Sequence, residues 1–172
     1  MKKNNPSFDY DRYGHCYSAK RQTDPRIASL VHKALGNARS VLNVGAGAGS
    51  YEPSDKYVVA VEPSKVMREQ RHFNHKTPAV IASADQLPFD DHSFDASMAM
   101  LTIHHWPDIK KGLDEMRRVT RHQIVILTFD PDAFDVYWHY EYAPEFYETE
   151  KQRFPKIDQL LNYLGRNSTV LP

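Results

Sequence analysis

Short apolar runs alternate with amphipathic stretches along most of the chain, and their spacing separates strands from helices. Asp24 is a good N-cap, Pro25 suits a first helical position and Gly36 a C-terminal stop. A helix is therefore predicted between them, with Ile27, Leu30, Val31, Ala34 and Leu35 on its apolar face. Residues 41–44 read as a strand that ends in Gly45-Ala46-Gly47-Ala48-Gly49. Residues 57–61 form a second, stopping at Glu62, after which Ser64 caps a helix to about Phe73. Residues 79–82 and 95–101 are the third and fourth strands. Asp108 then caps a helix with Ile109, Leu113, Met116 and Val119 on one face, leading to a fifth strand at 123–129. A last helix over 156–164 is closed by Gly165.

The strands are short and apolar, and helices separate most of them. That pattern predicts an α/β fold, a doubly wound, mostly parallel sheet covered on both faces. Such sheets bind ligands beyond the carboxyl ends of their strands, so the residues that follow each strand carry the functional information. After strand one, Gly45, Gly47 and Gly49 permit positive φ and close approach of a ligand to the backbone. A dinucleotide fingerprint would need glycine at position 50, where this chain has Ser50, which speaks against a dinucleotide-dependent oxidoreductase. After strand two, Glu62 can accept both hydroxyls of a ribose, or can simply be a solvated strand end. After strand three, Asp85 can accept a hydrogen bond from an exocyclic amine, or can serve as a turn residue. After strand four comes His104-His105-Trp106-Pro107-Asp108.

Composition narrows the class. The 172 residues fit one domain, and 22 Lys and Arg balance 22 Asp and Glu. With no basic excess, a nucleic acid or an anionic membrane is not the expected partner. No apolar run approaches the roughly 20 residues of a membrane span. The polar start Met1-Lys2-Lys3-Asn4-Asn5-Pro6 is unlike a signal peptide. Cys16 is the only cysteine, so neither an intrachain disulfide nor a cysteine-rich zinc site can form. His72 with His75, and His104 with His105, lack partners at metal-ligand spacing, and no metal is expected. A soluble, cytoplasmic, single-domain protein is the expectation.

The stretches 41–49, 61–64, 84–95 and 104–108, taken in order, resemble the class I S-adenosylmethionine-dependent methyltransferases, and more narrowly the type 11 group, whose better-known members methylate small molecules and quinone precursors. The resemblance covers about residues 24–130 and implies a Rossmann-like methyltransferase fold with S-adenosylmethionine as cofactor and S-adenosylhomocysteine as product. It implies that the backbone of Gly45, Ala46 and Gly47 lies along the methionine part. Glu62 would hold the ribose, Pro63 and Ser64 would pack near the adenine, Asp85 would meet the adenine amine with Gln86 beside it, and Leu101 would close the pocket. The segment 13–21 resembles the family's aromatic entry segment, in which Tyr17 would cover the cofactor and Arg21 would pair with its carboxylate. On this reading residues 1–23 are an entry segment, 24–130 the cofactor-binding core, 131–155 an aromatic cap, and 156–172 the last helix and the start of a sixth strand.

There are two departures. Asn43 stands where the family usually has Asp, which keeps an acceptor but removes a charge. The family sheet has seven strands, whereas Val170-Leu171-Pro172 can only begin the sixth, so the chain is expected to lack its last one or two strands. An uncovered sheet edge would then favour self-association.

Methyl transfer from a sulfonium is a direct displacement that needs alignment and dryness, and a base only if the nucleophile arrives protonated. His105 is the weak candidate for that base, the alternative being that the His-His-Trp-Pro-Asp turn is structural. Position 101–104 lacks the Asn/Asp-Pro-Pro-aromatic tetrad of nucleobase amine methylases, and Cys16 lies upstream of the sheet, away from where an RNA cytosine-C5 enzyme needs its nucleophile. Arg117, Arg118 and Arg121 can touch phosphate or form a solvated helix face. Eight aromatic residues fall within 129–147, suited either to enclosing an apolar acceptor or to packing the last helix. The expected activity is metal-independent methyl transfer to a small organic acceptor. The alternative is a non-catalytic cofactor-binding or interaction module on the same fold.

Overall fold

Val41, Leu42 and Val44 expose no surface, and Asn43 almost none, so strand β1 (Ser40–Val44) is covered on both faces. Only a central strand of a parallel sheet is normally so placed. The computed structural model describes residues 9–14, 22–136, 138–165 and 167–171, with the backbone alone for Tyr13, Trp138 and His139. The described residues before 128 and those from 128 onward form two compact units.

The first unit begins with the single turn α1 (Tyr10–Tyr13) and continues with α2 (Pro25–Leu35), β1, β2 (Tyr57–Val61), α3 (Lys65–Phe73), β3 (Ala79–Val80) and β4 (Phe94–Met100). A 3₁₀ turn (Ile103–His105) then leads to α4 (Ile109–Val119) and β5 (Thr120–Leu127). The described sheet has five strands in the order β3-β2-β1-β4-β5, all pairs parallel. The order reverses beside β1, which is where ligands bind in sheets of this kind.

The helices start where side-chain acceptors stand ready. Asp24, Ser64 and Asp108 each accept a hydrogen bond from an amide of the first turn of α2, α3 and α4. Val31 and Leu35 of α2 pack against Val41, Ala96 and Met98 on one sheet face, and α4 packs on β5 through a face that buries Leu113, Met116 and Val119. Asp95 joins the beginnings of β1 and β4. Its Oδ2 accepts from the amides of Arg39 and Ser40 at 2.9 and 3.1 Å, and the Ser40 hydroxyl accepts from the Asp95 amide at 3.0 Å.

Two strands differ in extent from their sequence patterns. β3 stops at Val80, because as an edge strand it pairs only Ala79 and Val80, with Ala60 and Val61 of β2. β5 starts at Thr120, three residues earlier than its apolar run, because α4 passes into it without a loop and Thr120 pairs with Phe94. The buried Thr120 hydroxyl donates to Ser97 at 2.8 Å, which anchors this polar start.

The second unit holds 3₁₀ turns at Pro131–Val136 and Trp138–Glu141 and the helices α5 (Pro144–Arg153) and α6 (Ile157–Leu164). Pro144 starts α5 rather than breaking the chain, since its missing N–H is no loss at a first helical position. Phe129, Phe134 and Phe154 meet edge to face with centroids 5.5–6.2 Å apart, and Tyr147 adds its ring to Phe134 at 5.7 Å. These four rings join the start of the unit, its first 3₁₀ turn and α5.

Candidate cofactor site

Strand register builds the site. Val44 of β1 lies opposite Val61 of β2, so Gly45 and Glu62 emerge side by side at the carboxyl end of the sheet. The amide of Ala46 donates to the Val61 carbonyl at 2.9 Å, and the amide of Glu62 to the Val80 carbonyl at 3.0 Å, which carries the ladder past the strand ends. Gly45 and Gly47 have φ of 67° and 51°, where a side chain is rarely tolerated. At Gly45 the space is also taken, since a β-carbon would stand 2.2 Å from the Thr102 hydroxyl oxygen.

Glu62 is 7 % exposed. Its Oε2 accepts from the Gly47 amide and its Oε1 from the Ser64 amide, both at 2.8 Å. Burial pushes its carboxyl above the usual glutamate value, and the Ser64 and Gly47 amides pull it part of the way back. Each carboxylate oxygen retains a lone pair for a further donor.

These groups border a cavity of about 620 Å³. The first turn lines it with Gly45, Ala46 and Gly47, the second with Glu62, Pro63 and Ser64, and the third with Ser83 and Ala84. From beyond β4 come Leu101, Thr102, His105 and Trp106. Leu101 has φ 53°, strained for a leucine, while its amide donates to the Leu127 carbonyl at 2.8 Å. Trp106 lies against Gly112 of α4, where a β-carbon would stand 2.4 Å from the indole ring.

Of the residues picked out in the sequence, Gly45, Ala46, Gly47, Glu62, Pro63, Leu101 and His105 thus share one cavity wall. Asp85 is not among the lining residues, and its Oδ2 stands 3.9 Å from the Lys111 ammonium. Gln86 is exposed, with its amide donating to the Ser83 carbonyl. Tyr17 and Arg21 lie outside the described residues. The three arginines have intramolecular partners. Arg118 bonds Glu115, Asp91 and the carbonyls of Leu87 and Phe89, Arg121 bonds Asp95, and Arg117 lies 3.9 Å from Asp114.

The sequence did not point to Asp9, Tyr10 and Asp11, which also line the cavity. Asp11 Oδ1 accepts from the Ser64 hydroxyl at 2.7 Å and from the Val66 amide at 3.1 Å, and the Ser64 bond holds its carboxyl below the ordinary value. Gln70 of α3 donates to the Gly14 carbonyl at 2.7 Å. The four-residue α1 is therefore tied to α3, over contacts more than fifty residues apart, which no local pattern reveals.

The family match coincides with this architecture. The family described as methyltransferase domain (Methyltransf_11) matches residues 42–128, about half of the chain, and these include every strand but the start of β1. The chain belongs to this family. Among curated relatives, a demethylmenaquinone methyltransferase of Clavibacter sepedonicus is 32 % identical over 72 % of this chain and 54 % of its own length. A malonyl-[acyl-carrier protein] O-methyltransferase of Halorhodospira halophila is 26 % identical over 74 % of this chain and 48 % of its own. The chain spans about half the length of the curated relatives it matches. Among solved structures, a protein from an antibiotic biosynthesis pathway of Anabaena variabilis, assigned provisionally as a methyltransferase, superposes with a TM-score of 0.73. It is 32 % identical, over 84 % of this chain and 61 % of its own. A SAM-dependent methyltransferase of Thermotoga maritima shares the fold, with a TM-score of 0.71 at 23 % identity over 90 % of this chain and 77 % of its own. The five-stranded sheet of this methyltransferase domain is thus the Rossmann-like one expected from the sequence. No helix among its described residues is long and apolar enough to cross a membrane. No group of three His, Cys, Asp or Glu among them is arranged to hold a metal ion.

Proposed function

We propose that this methyltransferase domain binds S-adenosylmethionine in the cavity at the sheet's carboxyl end and serves metal-independent methylation of a small organic acceptor in the cytoplasm. The observation that carries the reading is Glu62, a buried carboxylate that lines the cavity beside a glycine turn where an added β-carbon has no room. Two backbone amides offset part of the cost of burying this charge, and its free lone pairs suit the paired hydroxyls of a ribose.

The remaining roles follow from position. Gly45, Ala46 and Gly47 would present backbone to the methionine part, and Pro63 would pack near the adenine. Asp85, with Gln86 next to it, would turn from Lys111 to the adenine amine, and Leu101 would close the pocket. Tyr17 and Arg21 would cover the cofactor and pair with its carboxylate. When bound, S-adenosylmethionine supplies an activated methyl group. The chain's own work is to orient the acceptor and keep water out, and His105 on the cavity wall would take a proton from an acceptor that arrives protonated.

Titration calorimetry of the full chain with S-adenosylmethionine and S-adenosylhomocysteine tests the cofactor. Both should bind, and Glu62→Ala should cost about 1.5–3 kcal/mol, the worth of hydrogen bonds to a charged acceptor. No binding at millimolar concentration by the native chain would sink the reading. Binding without transfer of a labelled methyl group to any small-molecule pool would favour a non-catalytic module instead. Preferential labelling of nucleic acid would overturn the acceptor class.

A further inference from the structure

Behind the glycine turn lies a charged network that the cavity does not include. Asn43 of β1, Glu52 and Arg71 of α3 are 1 %, 8 % and 0 % exposed. The Arg71 guanidinium grips Glu52 with both ends, Nη1 donating to Oε1 at 2.9 Å and Nη2 to Oε2 at 3.2 Å, while its Nε donates to the Thr77 carbonyl at 2.8 Å. Asn43 Nδ2 donates to the same Glu52 Oε1 at 2.9 Å. The three groups together carry one positive and one negative charge.

This network touches the turn from below. A β-carbon on Gly49 would stand 2.6 Å from Lys76 Cγ and 3.2 Å from both Glu52 Oε2 and Arg71 Nη1, so the ion pair, together with the Lys76 stem, packs against this end of the turn. The upper side of the same turn lines the cavity through Gly45, Ala46 and Gly47. The network therefore joins β1, the segment after the turn and α3 into one support for the backbone that faces the cavity.

Position 43 needs a donor toward Glu52, and Asn43 supplies it through Nδ2 while its buried Oδ1 has no hydrogen-bond partner among the described residues. Glu52 Oε1 is an acceptor, and an amide can donate to it, whereas an ionised aspartate would set a second acceptor and a second negative charge against it. One guanidinium cannot neutralise two buried carboxylates, and an unpaired buried charge is strongly unfavourable. An ionised aspartate at this place would thus be incompatible with Glu52.

We propose that Asn43 is a positioning residue whose amide is charge-matched to the Glu52–Arg71 pair, and that the match holds the glycine turn in its cofactor-binding shape. The inference rests on the cofactor reading above. Its test is a double-mutant cycle of Asn43→Asp, Glu52→Gln and both together, read by S-adenosylhomocysteine affinity in calorimetry and by thermal midpoint. Asn43→Asp should weaken binding at least tenfold and lower the midpoint. In the double variant the amide introduced at position 52 donates to the carboxylate introduced at position 43. That exchange restores a single negative charge in the network, but the new amide nitrogen also meets Arg71 Nη1 donor to donor, so binding should recover at least threefold over Asn43→Asp without reaching the native level. If Asn43→Asp fails to fold, a folded, binding double variant upholds the match, and an equally insoluble one overturns it. Unchanged affinity in Asn43→Asp, or a double variant no better than that single variant, also overturns it. If the native chain binds no S-adenosylhomocysteine, the cofactor reading falls with the positioning role, and a double variant more heat-stable than Asn43→Asp upholds the charge match alone.

Discussion

The Tyr10 hydroxyl lies 2.8 Å from Nε2 of His105, ninety-five residues away, and both side chains face the candidate cofactor cavity. Their rings also meet edge to face with centroids 5.0 Å apart. This contact ties α1 to the turn after β4, while Asp11 and Gln70 tie it to α3. Tyr10→Phe keeps the ring contact and deletes the hydrogen bond. We expect a loss of about 0.5–1.5 kcal/mol locally. Amide hydrogen exchange at residues 9–14 should therefore quicken by up to about tenfold, with the sheet amides unchanged. Unaltered exchange in that segment would show that the hydrogen bond does not hold it.

Gly45→Ala tests the turn itself. The new β-carbon meets the Thr102 hydroxyl at 2.2 Å on a backbone with φ 67°. Strain and overpacking of this kind typically cost about 1–3 kcal/mol each. Urea melts should show that loss, and Thr102→Gly in the same chain should recover the steric part but not the backbone part. A fully stable Gly45→Ala protein would contradict the packing described for this turn.

Asp95 should make the fold acid-sensitive in a defined window. The Arg39 and Ser40 amides are the main reason its carboxyl is held at about 2. An unfolded aspartate titrates near about 3.9. The folded value is the lower one, so this stabilisation is present above pH ~3.9 and is lost as pH falls through about 2. Asp95→Asn keeps an acceptor for the two amides but cannot titrate. It should melt lower than the native chain at pH 6, and the two thermal midpoints should converge near pH 2. A gap that stays constant across this range would show that charge is not the cause.

Glu62 should act in the opposite sense. Its folded value is raised, chiefly by burial, so its protonated form is the better one for the fold alone. The stability it contributes is full below the unfolded value of about 4.3 and is lost as pH rises through the raised folded one. A ribose, by contrast, needs the ionised acceptor. Cofactor affinity should accordingly fall on acidification at a higher pH than an ordinary glutamate would give. Calorimetry from pH 7.5 down through the ordinary glutamate range reads the effect, and Glu62→Gln should flatten it.

Much of this domain is local and therefore legible in one dimension. Asp24, Ser64 and Asp108 start helices because their acceptors lie within three residues of the amides they cap. The strands β1, β2 and β4, the glycine turn and the position of Glu62 after β2 follow from residue type and order. What the tertiary structure decided comes from pairing between distant segments. Register set Glu62 beside the glycine turn and ended β3 at its second pair. Arg71 gains its role only because α3 packs its guanidinium onto Glu52, and Asn43 reads as an acceptor without charge until Glu52 makes it a donor. Tyr10 and Asp11 gain meaning only where α1 crosses to His105 and Ser64. The physical reason is range. Propensity and capping act over a few residues along the chain, whereas a buried charge must find its partner wherever the fold brings one within hydrogen-bond distance.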